Sequence, residues 1–383
     1  MLRVSHMQFQ FLRFWPTFYM AYTCPVGGRE ASLQNSELNS LLFWIGCYLA
    51  AMTSYILKNI KSIFLLTVAV LLFGFSKAST TKINFRDTTL KPIDTALYDS
   101  LMHKMANGDK RWPVKTKVYP LPGAILPFNR VVAYYGNMYS KNMGVLGQYP
   151  PKVMLKKLQD EVKSWEKADT TTPVIPALHY ICVTAQADAG RNGLHNLRMP
   201  FRQIDSVLHM AASINAIVFL DLQVGFSTVQ KEVPLLEKYL SMPNVHLGID
   251  PEFSMKEGSI PGKRIGTFDA DDINYVTQYL ASLVKKYNLP PKIFIVHRFT
   301  KKMVTNYQNV KLRPEIQFVM DMDGWGGPDL KKGTYHYFIQ GEPVQFTGFK
   351  LFYKNDIQKV PHRLLTKKEV LELKPAPVYI QYQ

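Results

Sequence analysis

AIVFLDLQVGFSTVQKEVPLLEKYLSMPNVHLGIDPEF, residues 216–253, holds two short runs rich in β-branched and aromatic residues, 216–223 and 245–253, with helical spacing between them over 228–240. A strand, an amphipathic helix and a second strand in that order are the mark of a parallel βαβ unit. Each run turns polar at its C-terminal end, with Asp221 and Gln223 in the first and Asp250 and Glu252 in the second.

The same alternation extends in both directions. Upstream lie 130–136 (RVVAYYG), a helix over 151–167 opened by Pro150-Pro151, 174–183 (VIPALHYICV) and a helix over 201–213. Downstream, Asp269 is a natural N-cap for a helix over 270–287. Then come 292–299 (KIFIVHRF) with a short helix over 300–307, and 316–324 (IQFVMDMDG) with a helix over 329–339. The runs 349–353 (FKLFY) and 378–382 (VYIQY) close the set, with a helix over 366–374 between them. Eight units predict an α/β fold, a single (β/α)8 TIM barrel over 129–383. The first strand is not followed by the glycine-rich turn of a dinucleotide-binding sheet. Residues 79–128 form an N-terminal extension with one helix over 93–105 and the run Tyr119-Pro120-Leu121-Pro122; it suits a cover for the barrel's N-terminal face and is assigned no chemistry.

The first 78 residues read differently. From Met52 the chain shows Lys58 and Lys61, an apolar run over 63–75 too short to span a bilayer easily, and a small-x-small site at Ser76-Lys77-Ala78. That is the pattern of a secretory signal peptide, with residues 1–51 a spurious upstream segment; the competing reading pairs 63–75 with the apolar stretch 41–57 as a membrane hairpin. Export places the protein outside the cytoplasm, secreted or periplasmic. Cleavage leaves Cys182 as the single cysteine, so no intramolecular disulfide is expected.

The formal charge is +17, and residues 1–78 carry 6 of the basic and 2 of the acidic side chains, leaving 40 against 27. The basic residues are scattered over candidate helices (Lys152, Lys156, Lys157, Lys163) without a dense aromatic-interleaved patch, which excludes a nucleic-acid partner and leaves a solvated face or attraction to an anionic envelope surface.

In a TIM barrel, ligands gather where strands end. The polar residues at those places are Tyr135, His179, Asp221, Gln223, Asp250, Glu252, His297, Arg298, Asp321 and Asp323, with Trp325 in the flexible loop Asp323-Gly324-Trp325-Gly326-Gly327. Strand side chains alternate, so Asp250 and Glu252 are expected to share a side, as are Asp321 and Asp323. Carboxylates crowded in one mouth raise one another's pKa, which suits proton-transfer chemistry.

Ile249-Asp250-Pro251-Glu252-Phe253 resembles the end of the chitinase-type motif of glycoside hydrolase family 18, and Met320-Asp321-Met322-Asp323 is similar to that family's Met-x-Tyr-Asp. The resemblance implies Glu252 as general acid. Two earlier motif aspartates fall on Val245 and Gly248, and the tyrosine falls on Met322, which argues against substrate-assisted cleavage of N-acetyl sugars. Across 129–383 the chain also resembles an uncharacterised group of secreted or lipoprotein-type bacterial barrel proteins, in Tyr134-Tyr135-Gly136, Gly144-Val145-Leu146-Gly147, Leu220-Asp221-Leu222-Gln223, Asp250-Pro251-Glu252 and Met322-Asp323-Gly324. That resemblance implies fold and location.

Glycoside hydrolysis fits these residues: it needs one protonated carboxyl and one carboxylate. Glu252 is the expected acid, with the charge of Asp250 holding its proton, and Asp323 or Asp221 is the second carboxylate. Tyr135, His179, Gln223, His297, Arg298, Asp321 and Trp325 are expected to bind a carbohydrate; the loop aromatics Tyr139, Phe226, Phe253 and Phe299 are on offer but read more readily as core, and no cofactor is called for. Two alternatives stay open: a non-catalytic glycan-binding protein of the cell envelope, and a metal-dependent hydrolase using His179, Asp250, His297 and Asp323. The leader reading has a direct check. Mass spectrometry of the protein from its native host should find an N-terminus near Ser79, and retention of 41–75 would refute it.

Overall fold

The computed structural model describes residues 92–114 and 118–383, together with isolated positions between 43 and 54. The chain divides into Met1–Arg86 and Asp87–Gln383, and the fold is that of the second unit. The segment read as a signal peptide falls almost wholly outside the described residues. Among those described, no helix is long and apolar enough to cross a membrane.

Eight parallel strands close into a barrel: β1 (Arg130–Gly136), β2 (Val174–Ala185), β3 (Ile217–Leu222), β4 (Val245–Ile249), β5 (Lys292–Arg298), β6 (Ile316–Met322), β7 (Phe346–Leu351) and β8 (Tyr379–Tyr382). Each pairs with the next, and β8 returns to β1 with Val131 opposite Tyr379 and Tyr134 opposite Tyr382, so no edge is left open. Strand alternation sorts the apolar side chains into two cores. Val132, Leu220, Leu247, Val296, Met320 and Ile380 point outward and pack under the helices. Ala133, Ala177, Phe219, Ile295, Val319 and Tyr379 point inward and fill the barrel.

The helices follow from local chemistry. Helix α2 (Pro151–Ala168) starts with proline at its first position, where the missing N–H costs nothing, and buries Met154, Leu158, Val162 and Trp165 on one stripe. α3 is Phe201–Ala212, and α4 (Ala270–Tyr287) is opened by an Asp269/Asp272 capping box, as the position of Asp269 predicts. Pro234 divides the segment expected as one helix over 228–240 into Val229–Glu232, a 3-10 stretch Val233–Leu236 and Glu237–Leu240. The helix expected over 300–307 does not form. Two 3-10 turns there flank Val304–Thr305, which pairs with Phe268–Asp269, because β-branched residues followed by a left-handed Asn306 favour an extended break. Helix α5 (Pro328–Tyr335) continues into a π-turn, and α6 (Lys367–Leu371) is shorter than the run 366–374.

Helix α1 (Thr95–Ala106), capped by Asp94, buries Tyr98, Met102 and Met105 in the same cluster as Val131, Ile217, Ile293 and Phe346, which stand near the starts of their strands. The N-terminal end of the barrel is thereby closed. Gln317 on β6 points into this closure, accepting from Ile125 N at 2.8 Å and Leu126 N at 3.2 Å and donating to Leu126 O at 2.5 Å. Replacing fully buried Gln317 with Met strands these backbone groups. Urea unfolding should show a loss of about 2–3 kcal/mol, and an unchanged midpoint would remove the amide from this role.

Candidate functional site

Two layers of inward side chains fill the C-terminal half of the barrel. The lower carries His179 of β2, Asp221 of β3, His297 of β5 and Asp321 of β6, all fully buried. Space for them comes from two strands that present glycine: a Cβ on Gly248 would collide with Asp221 Oδ1 and His179 Nε2, and one on Gly348 with Asp321 Oδ1. Above this floor opens a cavity of about 600 Å³, lined among others by Tyr135, Gln223, Asp250, Glu252, Asp323 and Lys350. Phe253, Phe299 and Trp325 supply aromatic walls, and Trp325 is 48% exposed at the rim. A cavity of this size, apolar-walled with a few convergent polar groups, is the usual form of a small-ligand site.

The floor is an ionic network. Asp221 Oδ2 accepts from the Tyr135 hydroxyl at 2.8 Å, and Oδ1 stands 3.4 Å from His179 Nε2 and 3.6 Å from His297 Nε2. Burial works against its charge, but the charge of His297, with contacts from both imidazoles, outweighs that and holds its carboxyl well below the usual carboxylate range. Burial also pushes His179 down to about 4, so it is neutral. His297 differs: burial opposes its charge, yet Asp221, a hydrogen bond to Asp321 Oδ2 at 3.0 Å and the charge of Asp323 raise it well above the ordinary histidine value. Burial raises Asp321, with His297 pulling the other way.

At the mouth, β4 stops at Ile249, earlier than its apolar run suggests. Asp250 accepts from Glu252 N at 3.2 Å and caps a 3-10 turn, Pro251–Phe253. Glu252 therefore does not share a strand face with Asp250 by alternation; the turn brings it to the cavity instead. Burial raises Asp250 well above its usual value, with the charge of Glu252 next. Glu252 is pushed up to about 7, by burial first and then by the charge of Asp323, while Lys350 and His297 pull down. Asp250, 2% exposed and bonded by Gln223 Nε2 at 3.3 Å, and Glu252 repel one another as expected, and the charge of Asp323 adds to the rise of Glu252.

Tyr135, Gln223, Asp250, Glu252, Asp323 and Trp325 line the cavity; His179, Asp221, His297 and Asp321 lie beneath it. Arg298 is elsewhere. Alternation turns it outward from β5, where it donates to the carbonyls of Thr300, Lys301, Val304 and Phe338 and pairs with Glu342, bracing the segment that lacks a helix. Tyr139 and Phe226 are not among the lining residues. Met320 and Met322 pack outward, so the strand-six resemblance to chitinases does not bring these side chains into the mouth.

Lys350 escapes the sequence reading. Its ammonium lies 2.8 Å from Asp323 Oδ1 and 3.8 Å above the Tyr135 ring. The signal was a lysine inside the apolar run FKLFY, which begins at Phe349 in the sequence reading although β7 starts at Phe346. Gln381 of β8, beside His179 Nδ1 at 3.0 Å, was hidden in the same manner within VYIQY.

The raised Glu252 has a thermodynamic consequence. A carboxyl whose value rises from 4.5 to about 7 on folding stabilises the fold below the lower value and loses that contribution as pH rises through the higher. Glu252→Gln cannot lose a proton, so its unfolding midpoint should improve relative to wild type between pH 5 and pH 8. A difference independent of pH would contradict the assignment.

No protein-family model matches the chain, and no curated protein matches it either. Among solved structures, a ruminal GH26 endo-β-1,4-mannanase is similar at a TM-score of 0.32 and 10% identity over 66% of this chain. The match spans 58% of the mannanase chain, and a likeness of that size carries no argument about activity.

Proposed function

We propose that the barrel is a glycoside hydrolase-like protein acting on a cell-envelope or environmental polysaccharide by carboxylate acid/base chemistry. The observation that carries this reading is the contrast between two carboxyl groups facing one cavity: Glu252 is pushed up to about 7, whereas Asp323 is ion-paired to Lys350 at 2.8 Å. A group that holds its proton near neutral pH beside an ion-paired acidic side chain suits the division of labour that glycosidic cleavage requires. Glu252 gives the proton to the leaving oxygen. Asp323 is the second carboxylate, in preference to Asp221, whose oxygens lie below the floor among Tyr135, His179 and His297. Trp325 offers an exposed face for a sugar ring, with Gln223 and Tyr135 at the inner end.

The same ion pair favours a second reading. An ammonium held on Asp323 weakens it as a nucleophile or base, which suits a glycan-binding barrel without turnover. Export through the leader is part of either proposal; the support is the Lys58/Lys61, apolar run and Ser76-Lys77-Ala78 pattern.

A screen of the purified protein against bacterial and plant polysaccharides, scored by new reducing ends, separates the readings. On any polysaccharide that wild type cleaves, Glu252→Gln should lower turnover by about 100-fold or more while binding persists. Full activity in that variant would exclude Glu252 as the acid, and binding without release by wild type would favour the glycan-binding reading.

A further inference from the structure

The floor of the barrel contains an arrangement that neither reading uses. His179 Nε2, Asp221 Oδ1 and His297 Nε2 come from three strands, lie within 4.8 Å of one another and belong to fully buried side chains. None of the three atoms makes a well-formed hydrogen bond; they face one another in long contacts of 3.4 Å and 3.6 Å to Asp221 Oδ1. The other polar atom of each side chain is held: His179 Nδ1 by the Tyr379 hydroxyl at 2.5 Å and the Gln381 amide at 3.0 Å, Asp221 Oδ2 by the Tyr135 hydroxyl at 2.8 Å, and His297 Nδ1 by Asp321 Oδ2 at 3.0 Å.

Buried polar atoms are ordinarily paired, so three that converge on one point mark a place for a ligand. The pattern of partners says which kind. A metal-ligating histidine donates its remote N–H to a carboxylate or similar acceptor, which orients the ring and raises its basicity, and Asp321 stands in that relation to His297. The spacing agrees. Donors about 2.1 Å from a tetrahedral ion stand about 3.4 Å apart, and the separations from Asp221 Oδ1 are 3.4 Å and 3.6 Å, too long for good hydrogen bonds.

We propose that His179, Asp221 and His297 form a binding site for a divalent transition metal, with two imidazoles and one carboxylate suited to zinc. The ion joins β2, β3 and β5 at mid-barrel. The site differs from the sequence-level alternative, in which Asp250 and Asp323 were ligands; both instead line the cavity above. The proposal does not depend on glycosidase activity.

The test uses the untagged full chain, stripped with EDTA and dialysed against zinc or cobalt. Elemental analysis should find one zinc per chain, and zinc should raise the unfolding midpoint of the stripped protein. Cobalt should give the visible bands of a tetrahedral ion without thiolate charge transfer, which separates this site from binding at cysteine. Asp221→Asn and His297→Gln should weaken zinc binding by at least about 100-fold, beyond what loss of an outer hydrogen-bond partner costs. His209→Gln, on the exposed face of α3, should bind as wild type does. Folded ligand variants that still bind one zinc would overturn the proposal. If those variants fail to fold, the wild type decides alone: cobalt without tetrahedral bands, or zinc that is neither retained nor stabilising, would assign the converging atoms to ordered water instead.

Discussion

A carboxylate with no exposure to solvent, Asp221, stands at the middle of the barrel, and much of the surrounding architecture answers its charge. Removing an ion from water is expensive unless opposite charge and hydrogen bonds replace the hydration it loses. Tyr135 from β1, His179 from β2 and His297 from β5 meet it, so three other strands are committed to one group. Gly248 on β4 is obligatory beside it, since any side chain there would enter the space these groups fill. His297 then passes the interaction to Asp321 and Asp323, and Asp323 to Lys350, which carries it from the floor to the cavity wall.

Closure of the sheet makes such an interior possible. With β8 paired to β1, inward positions are shielded by a complete wall of backbone hydrogen bonds, and the N-terminal end is sealed by α1 and by the amide of Gln317. Solvent reaches the interior from the opposite end. Apolar residues fill the sealed half, polar residues the open half, and the gradient along the barrel axis separates stability from chemistry. The loops at the open end are fixed by the same economy of buried charge: Arg298 holds three carbonyls of a segment without a helix and that of Phe338 in the turn after α5, and Lys331 with Asp356 ties the loop after β7.

Particular residues show how far local sequence carries. The eight runs were legible because β-branched and aromatic residues cluster at the spacing of βα units, and β1, 130–136, appears with its bounds unchanged. Asp321 and Asp323 share a side as alternation requires, since β6 is regular to Met322. Asp250 and Glu252 broke the rule because Pro251 cannot continue the ladder and Asp250 is a better cap than a strand residue. Arg298 was misplaced because a polar residue at a strand end reads the same whether it faces the mouth or braces a loop.

The number and order of the barrel strands follow from residue order alone, as does the set His179, Asp221, Asp250, Glu252, His297 and Asp323 gathered where strands end, because strand propensity, helix capping and alternation act over a few neighbouring residues. Which of them face the cavity and which form its floor was decided by tertiary structure. That depends on the stagger of strands around a closed sheet, and stagger is set by contacts between residues as distant as Val131 and Tyr379. The partners of each charge were decided in the same way: Lys350 meets Asp323, and His179 meets Asp221, only because closure brings β7 beside β6 and β2 beside β3. Charge and burial act through space, and the order of residues along the chain carries no record of those distances.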